Sequence, residues 1–318
     1  MIPLIQYTLL FTSVLTLVAL GGCYAEHSGV INLGLEGIMV MGAFGGALAL
    51  KSFNVSYANG SVPAIVVVLA AVVASMLSGM IYSCLLGIAC INFKADQTLV
   101  GTALNMLATA VATIIAKTMN TIADPDNVSA TISYVNAKKA LLKYFGKFEF
   151  NWFMLIAVIA LIIAYVLLYK TKFGLRLMAC GEHPQAADSV GINVYKMRWA
   201  GVLISGMLAG VGGIVYITAG VSEWKFEVGV AGFGFLALAV MIFGQWKPVN
   251  IGLAALLFGF FRALSNVYSG FDFLASLNIP GSVYNMMPYI ISLIVLAFTS
   301  SSSRAPKAEG IPYDKGSR

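Results

Sequence analysis

Charge is what this sequence has least of. Only 10% of its 318 residues are Asp, Glu, Lys or Arg, while 59% are hydrophobic and the mean hydropathy is +0.88. Soluble domains carry roughly 25% charged residues. Too few polar groups remain to cover a water-facing surface, so the chain reads as an integral membrane protein. Its apolar runs approach the ~20 residues that cross ~30 Å of hydrocarbon as helix, whereas a membrane β-barrel would show shorter alternating segments. Histidine is also scarce: His27 and His183 are the two in the chain, which argues against a His-based metal centre. Cys23, Cys84, Cys90 and Cys180 occur singly, without CxxC or the paired spacing of a disulfide framework or zinc site. They read as small apolar side chains packed among helices.

Catalytic patterns are missing as well. There is no GxSxG, HExxH or GxxxxGK[ST], and no cluster of nucleophiles and bases within the apolar runs. Without a phosphate loop this chain does not hydrolyse ATP itself, and no metal or cofactor site is expected. The net charge of +6 comes with no basic stripe or phosphate-contacting motif, so nucleic acid is not an expected partner. The run 20-LGGC-23 resembles a lipoprotein cleavage site, but the first basic residue is Lys51 and apolar sequence continues past Cys23. Residues 2–22 therefore read as a retained helix rather than a signal peptide.

What is present is nine apolar segments: 2–22, 29–50, 62–91, 97–120, 151–170, 199–219, 231–244, 249–268 and 284–300. The run 62–91 exceeds one upright crossing, so it tilts or splits into a span and a re-entrant piece. The run 231–244 is too short for a full crossing and begins near GFGF, which fits a segment that enters and returns. The expected fold class is all-α, a polytopic integral membrane protein with about eight to ten transmembrane helices, some broken or re-entrant. Lys170, Lys172, Arg176, Lys196 and Arg198 assign the connection 171–198 to the cytoplasm, and Arg304, Lys307, Lys315 and Arg318 do the same for a short tail, 304–318. The four segments between them agree in parity. Region 121–150 then lies outside, where Lys138, Lys139, Lys143 and Lys147 run against the rule; an amphipathic helix on the outer surface would accommodate them.

Glycine, 32 residues in all, clusters within the spans. Pairs four apart, as in 42-GAFGG-46 and 206-GMLAG-210, allow helix backbones to approach closely. The stretch 28-SGVINLGLEGIMVMGAFGG-46 is denser and reads as a helix broken inside the membrane, which is tolerated only where it is shielded by protein or lines a cavity. A second glycine-interrupted segment, 229–244, sits in the other half of the chain, the arrangement that marks a substrate path in transporters. Glu36 is a carboxylate in an apolar span and so a functional candidate. Three roles stay open for it: a cap on the N–H groups of a broken segment, a group on a transport path, or a proton relay. Asn32, Gly34, Gly37, Asn105, Gly232 and Gly234 complete the set of candidate pathway or broken-helix residues, with Asn266 a further polar group able to bond across helices. Lys117 and Arg262 lie nearer helix ends, from which they snorkel to the surface. In the cytoplasmic connection, Pro184 and Asn193 bracket 185-QAADSVGI-192, compact enough for two helical turns whose small Ala186 and Ala187 would nest in another protein's groove.

Three runs, 26-EHSGVINLGLEGIMVMGAF-44, 181-GEHPQAADSVGINV-194 and 232-GFGFLALAVMIFGQWKPVNIGLAALLFGFF-261, resemble in order and spacing the permease subunits of bacterial ABC importers, in the branch for nucleosides and simple sugars. The resemblance implies an all-helical permease domain over 1–303 that is not itself an enzyme. It also implies a second related permease, an ABC ATPase subunit (in this branch often two fused nucleotide-binding domains) and an extracytoplasmic substrate-binding lipoprotein. It places Gly181, Glu182, Pro184, Ala186, Ala187, Gly191 and Ile192 in or beside the segment that contacts the ATPase. Ala25 and His27 stand where Ser and Arg are usual, His183 replaces Asn, and Gln245 replaces a commonly basic residue. The expected function is half of a solute pathway in the bacterial inner membrane, for nucleosides first and ribose-like sugars second. From another class, an ion-coupled secondary transporter would need paired intramembrane carboxylates, and Glu36 stands nearly alone.

Overall fold

The computed structural model describes residues 2–132, 142–145, 148–220, 226–271, 280–299 and 305–316. In hydrocarbon a backbone N–H or C=O has no water to bond, so each apolar run must close its hydrogen bonds within a helix. All nine runs do. They form α1 (Ile2–His27), α2 (Leu35–Ser52), α4 (Ala64–Gly87), α5 (Gln97–Ala123), α6 (Trp152–Lys170), α9 (Val194–Val215), α10 (Phe233–Phe243), α11 (Pro248–Val267) and α12 (Gly281–Thr299). Short helices α3 (Asn54–Ala58), α7 (Lys172–Glu182) and α8 (Pro184–Ser189) lie between them. Among the described residues, seven helices are long and apolar enough to cross a membrane, while α10 is too short.

Two expectations are corrected. The run 62–91 does not split: Ile65–Asn92 is one continuous helical span of 28 residues, ending in a π-helical turn at Ile88–Asn92. Its length is taken up in a single long crossing. Region 121–150 contains a hairpin, β1 (Leu142–Phe145) paired antiparallel with β2 (Phe148–Asn151), so Lys143 sits on a strand opposite Phe150 rather than on an amphipathic helix. The adjacent aromatics Tyr144 and Phe145 are residue types enriched in strands. Lys138, Lys139, Lys147, Arg304 and Arg318 lie outside the described residues.

Helix α9 forms the centre, packed on α1, α2 and α4, with α2 also against α4 and α1 against α11, and α1 is buried almost without interruption from Leu10 to Glu26. Small residues permit this. A methyl group on Gly42 or Gly213 would overlap the backbone of the facing helix, Gly210 in the first case and Met39 in the second. Helix α5 is more peripheral. It buries one stripe, Gly101, Leu104, Ala108, Ala112, Ala116 and Asn120, and turns Thr102, Met106, Ala110 and Ile114 outward. The spacing of three or four keeps each set on its own helical face.

Candidate functional site

Between α1 and α2 the chain runs without helix through residues 28–34, yet Ser28, Val30, Asn32 and Gly34 are buried. Buried backbone of this kind must find partners. The N–H of Ile31 donates to Gln97 Oε1 at 2.6 Å, and Asn105 Nδ2 donates to the Leu33 carbonyl at 2.8 Å. The other atom of the same amide, Asn105 Oδ1, accepts from the Gly37 N–H at 2.8 Å. Asn32 Nδ2 donates to Ser205 Oγ on α9 at 2.8 Å. Asn105 thus laces α5 to the break, and Gly37 must be glycine because a Cβ would meet the Leu104 carbonyl at 2.8 Å.

Glu36 lies in the first turn of α2, and its carboxylate reaches the second glycine-interrupted segment. Oε1 accepts from the Gly232 N–H at 2.9 Å and Oε2 from the Gly234 N–H at 2.6 Å. Gly232 is the N-cap of α10, held left-handed at φ +77°, which glycine adopts without penalty. The first N–H groups of a helix lack internal partners and carry the positive end of its dipole. Glu36 supplies that missing acceptor pair for a half-helix whose start is inside the molecule, with Phe233 packed on Phe11 of α1 at 5.4 Å. The contact has the form of the cap weighed from sequence, and Glu36 also borders a cavity, as a pathway residue would. Gly34 is the N-cap of α2 at an ordinary φ of −78°, and Gly234 allows Glu36 to approach, since a Cβ there would lie 2.5 Å from Glu36 Cα.

Beside the cap is an open cavity of about 800 Å³ lined by Glu36, Thr102, Asn105, Thr109, Thr113 and Phe235 among others. Three threonines and an asparagine line it at helical spacing on α5, but the Asn105 amide is spent on Leu33 and Gly37 and the Thr102 hydroxyl donates within its own helix, so Met106, Ile114 and Phe235 make the wall largely apolar. Lys117 is exposed near the end of α5, as expected of a snorkelling side chain, and pairs there with the exposed Glu227 at 2.7 Å, which also lines the cavity. Arg262 does not reach for a surface: its guanidinium lies over the Phe233 ring, 5.2 Å from the centroid, at the start of α10. A cation over an aromatic face is favourable where water is scarce.

The residues expected from sequence to contact an ATPase form a separate group at the C-terminal end of α1. Gly181 closes α7 against the His27 carbonyl, leaving no room for a side chain. Within α8, Pro184 and Ala187 face inward, while Gln185, Ala186, Ser189 and Val190 are exposed. Ala187 packs with Cys180, Val194 and Tyr313, so of the two alanines only Ala186 is outward-facing. Glu182 is exposed, Ile192 is half-buried, and Gly191 takes a left-handed φ of +85° that ends the helical turn. Burial pushes the Cys180 thiol up to about 11, which keeps it unreactive.

The two groups are joined by α10 itself. At its far end Gln245 and Trp246 both adopt positive φ, 51° and 55°, folding the chain back onto α1. The Trp246 carbonyl bonds His27 Nε2 at 2.9 Å, and its indole N–H donates to the buried Glu26 carboxylate. Sequence reading missed this contact, along with Gln97 and Ser205. The signal available was Glu26, a carboxylate at the end of an apolar helix, and Trp246 beside a lysine–proline pair.

Residues 305–316 lie over this same end of the molecule. The Ala308 N–H donates to the Gly181 carbonyl at 2.8 Å, and Tyr313 is buried against Tyr195 at a ring separation of 5.3 Å. Burial pushes the Glu309 carboxyl up to about 7, and it faces Glu26. A carboxyl raised on docking binds its proton more tightly docked than released. Its contribution is complete below the ordinary value near 4.5 and is lost as pH rises through about 7. A spin label at the exposed Ile311 should therefore be more immobile at about pH 5.5 than at about pH 8, and Glu309→Gln should remove the difference.

The family described as branched-chain amino acid transport system, permease component, matches residues 4–297. The guanosine ABC transporter permease protein NupQ of Bacillus subtilis is 38% identical over 99% of this chain and 97% of its own length. The nucleoside ABC transporter permease protein NupC of Lactococcus lactis is 38% identical over 96% of this chain and 95% of its own. The putative glucose ABC transporter permease protein TsgC13 of Haloferax volcanii is 28% identical over 82% of this chain and 76% of its own. With a multi-pass helical fold and a match over almost its whole length, the chain belongs to this family of ABC transporter permease components.

Proposed function

We propose that this permease forms half of the pathway of an ATP-driven nucleoside importer, with the Glu36-capped half-helix beside the cavity as its moving wall. The observation that carries the reading is the open cavity beside Glu36, walled by α5 and by the exposed Phe235 ring. An aromatic surface suits the face of a nucleoside base, and the exposed Thr102 sets a hydroxyl oxygen at the edge that can accept from a ribose hydroxyl. The nucleoside names of the two relatives at 38% identity point the same way. A second related permease would close the open side of the cavity, and an extracytoplasmic binding lipoprotein would deliver the solute.

A separate ATPase, with one or two nucleotide-binding domains per chain, would dock on the exposed face of α8. Displacement of α8 and α7 would reach His27, pass to Trp246 and move α10, whose start is held by Glu36. The packing of 305–316 against the coupling segment supports a cytoplasmic side for both, in the inner membrane of a bacterium. Because Ile2 is at the opposite end of α1 from Gly181, the chain would begin outside.

Uptake of labelled inosine, uridine and ribose into proteoliposomes tests the reading, with all four components present and ATP inside. Uptake of the nucleosides that requires both ATP and the ATPase supports it. Uptake of ribose alone, or uptake by this chain alone under a proton or sodium gradient, overturns it. Ala186→Arg places a large charge on the exposed face of α8 without touching the core, and should cut ATPase co-purification and uptake about tenfold or more.

A further inference from the structure

We propose that residues 305–316 are a brace that fixes the coupling helix α8 to the transmembrane helices, with Tyr313 as its main positioning residue. The proposal rests on the reading of α8 as the ATPase-contacting helix. Helix α8 has six residues and is flanked by a left-handed glycine, so by itself it has little to hold it in place. This segment adds to the support that α7 and α9 give it. Tyr313 is 4% exposed and completes a small apolar cluster with Cys180, Ala187 and Val194, one residue from each of α7, α8 and α9. Tyr195 Oη donates to the Tyr313 carbonyl at 3.4 Å, so the ring and the main chain are both engaged.

The other end of the segment grips the membrane helices. Ala308 bonds Gly181 and its carbonyl lies over Gly29, at the junction of α1 and α2, where a left-handed φ of +90° and the neighbouring Arg198 leave room for glycine alone. Gly310 sits on Ile31. At the distal end Asp314 pairs with Lys94, just before α5, at 3.2 Å, and Lys315 approaches Asp188 of α8 at 3.8 Å. Exposed ion pairs of this kind are weak, which leaves the buried tyrosine as the anchor and the charges as register marks. A push on α8 is then shared among α1, α5 and α9 instead of being absorbed by the loop at Gly191.

The test uses the complete transporter in proteoliposomes. Tyr313→Ala should leave the ATPase bound and hydrolysing, yet lower solute taken up per ATP by about fivefold or more and abolish stimulation by the binding protein. Tyr313→Phe, which keeps the ring and the carbonyl, should restore the ratio. A wild-type ratio in Tyr313→Ala overturns the brace, and so does loss of the ATPase from the complex, which would make the segment part of the docking face instead. A second arm joins the ends: Lys94→Cys with Asp314→Cys, oxidised to a disulfide. A static brace predicts uptake within about twofold of the reduced form; uptake lost on oxidation and regained on reduction overturns it. If Tyr313→Ala does not accumulate in the membrane, the oxidised pair decides. Failure of the underlying reading has a different signature, an ATPase that stays bound to Ala186→Arg, and does not depend on Tyr313.

Discussion

Replacing Glu36 by alanine should lower uptake by the assembled transporter about a hundredfold, while Glu36→Gln should keep a measurable fraction, roughly a tenth or more. The reasoning is geometric. Both carboxylate oxygens accept backbone N–H groups at the start of α10, at 2.9 and 2.6 Å. Hydrogen bonds to a charged acceptor are worth about 1.5–3 kcal/mol each, and alanine leaves two shielded donors without partners. A loss of about 3 kcal/mol in holding the half-helix corresponds to roughly a hundredfold in its population. Glutamine keeps one acceptor oxygen and the shape of the side chain, so it loses about one of the two bonds. The same pair of variants separates capping from proton relay. Glutamine cannot carry a relayed proton, so a relay makes Glu36→Gln as inactive as Glu36→Ala. Gly234→Ala is the reciprocal probe, since its methyl group would press on Glu36 Cα at 2.5 Å and disturb the cap with the carboxylate intact. Uptake and thermal melting of each variant in detergent check the set.

The second large effect belongs to the helix seam. Gly213→Leu should remove most of the folded protein from the membrane, and Gly42→Leu should do nearly the same. At Gly213 a side chain would enter the backbone of α2 at Met39, and at Gly42 it would enter the backbone of α9 at Gly210. Overpacking typically costs about 1–3 kcal/mol where side chains can give way; here the obstacle is main chain, so the helices themselves must separate. Separation would also break the bond from Ser75 Oγ to the Gly210 carbonyl that ties α4 to α9. Gly270→Ala is the control, because nothing lies within 4 Å of the position, and its melting temperature should match that of the unaltered protein. Membrane yield and melting of the solubilised chain measure both.

Composition and the lengths of the apolar runs determined, without any coordinates, that this chain is helical and crosses a membrane many times. Each of the nine runs holds a helix, because a single segment crossing lipid satisfies its backbone hydrogen bonds within itself only as a helix. The density of glycine in 28–46 and again near 232 marked the two places where helices break, since glycine tolerates close approach and left-handed turns at the least cost. The motif resemblance carried the family, and the relatives bear it out. Tertiary structure alone decided which partner each polar residue took. Glu36 meets Gly232 and Gly234 across nearly two hundred residues of chain, and no local pattern encodes that distance. Ala186 and Ala187 are neighbours of the same type, yet one faces out and one in, because α8 is placed by Tyr313 and Val194 rather than by its own periodicity. Arg262 and Lys117 went to an aromatic face and to Glu227, because a long cationic side chain takes the nearest acceptor or ring, and what is nearest is set by packing.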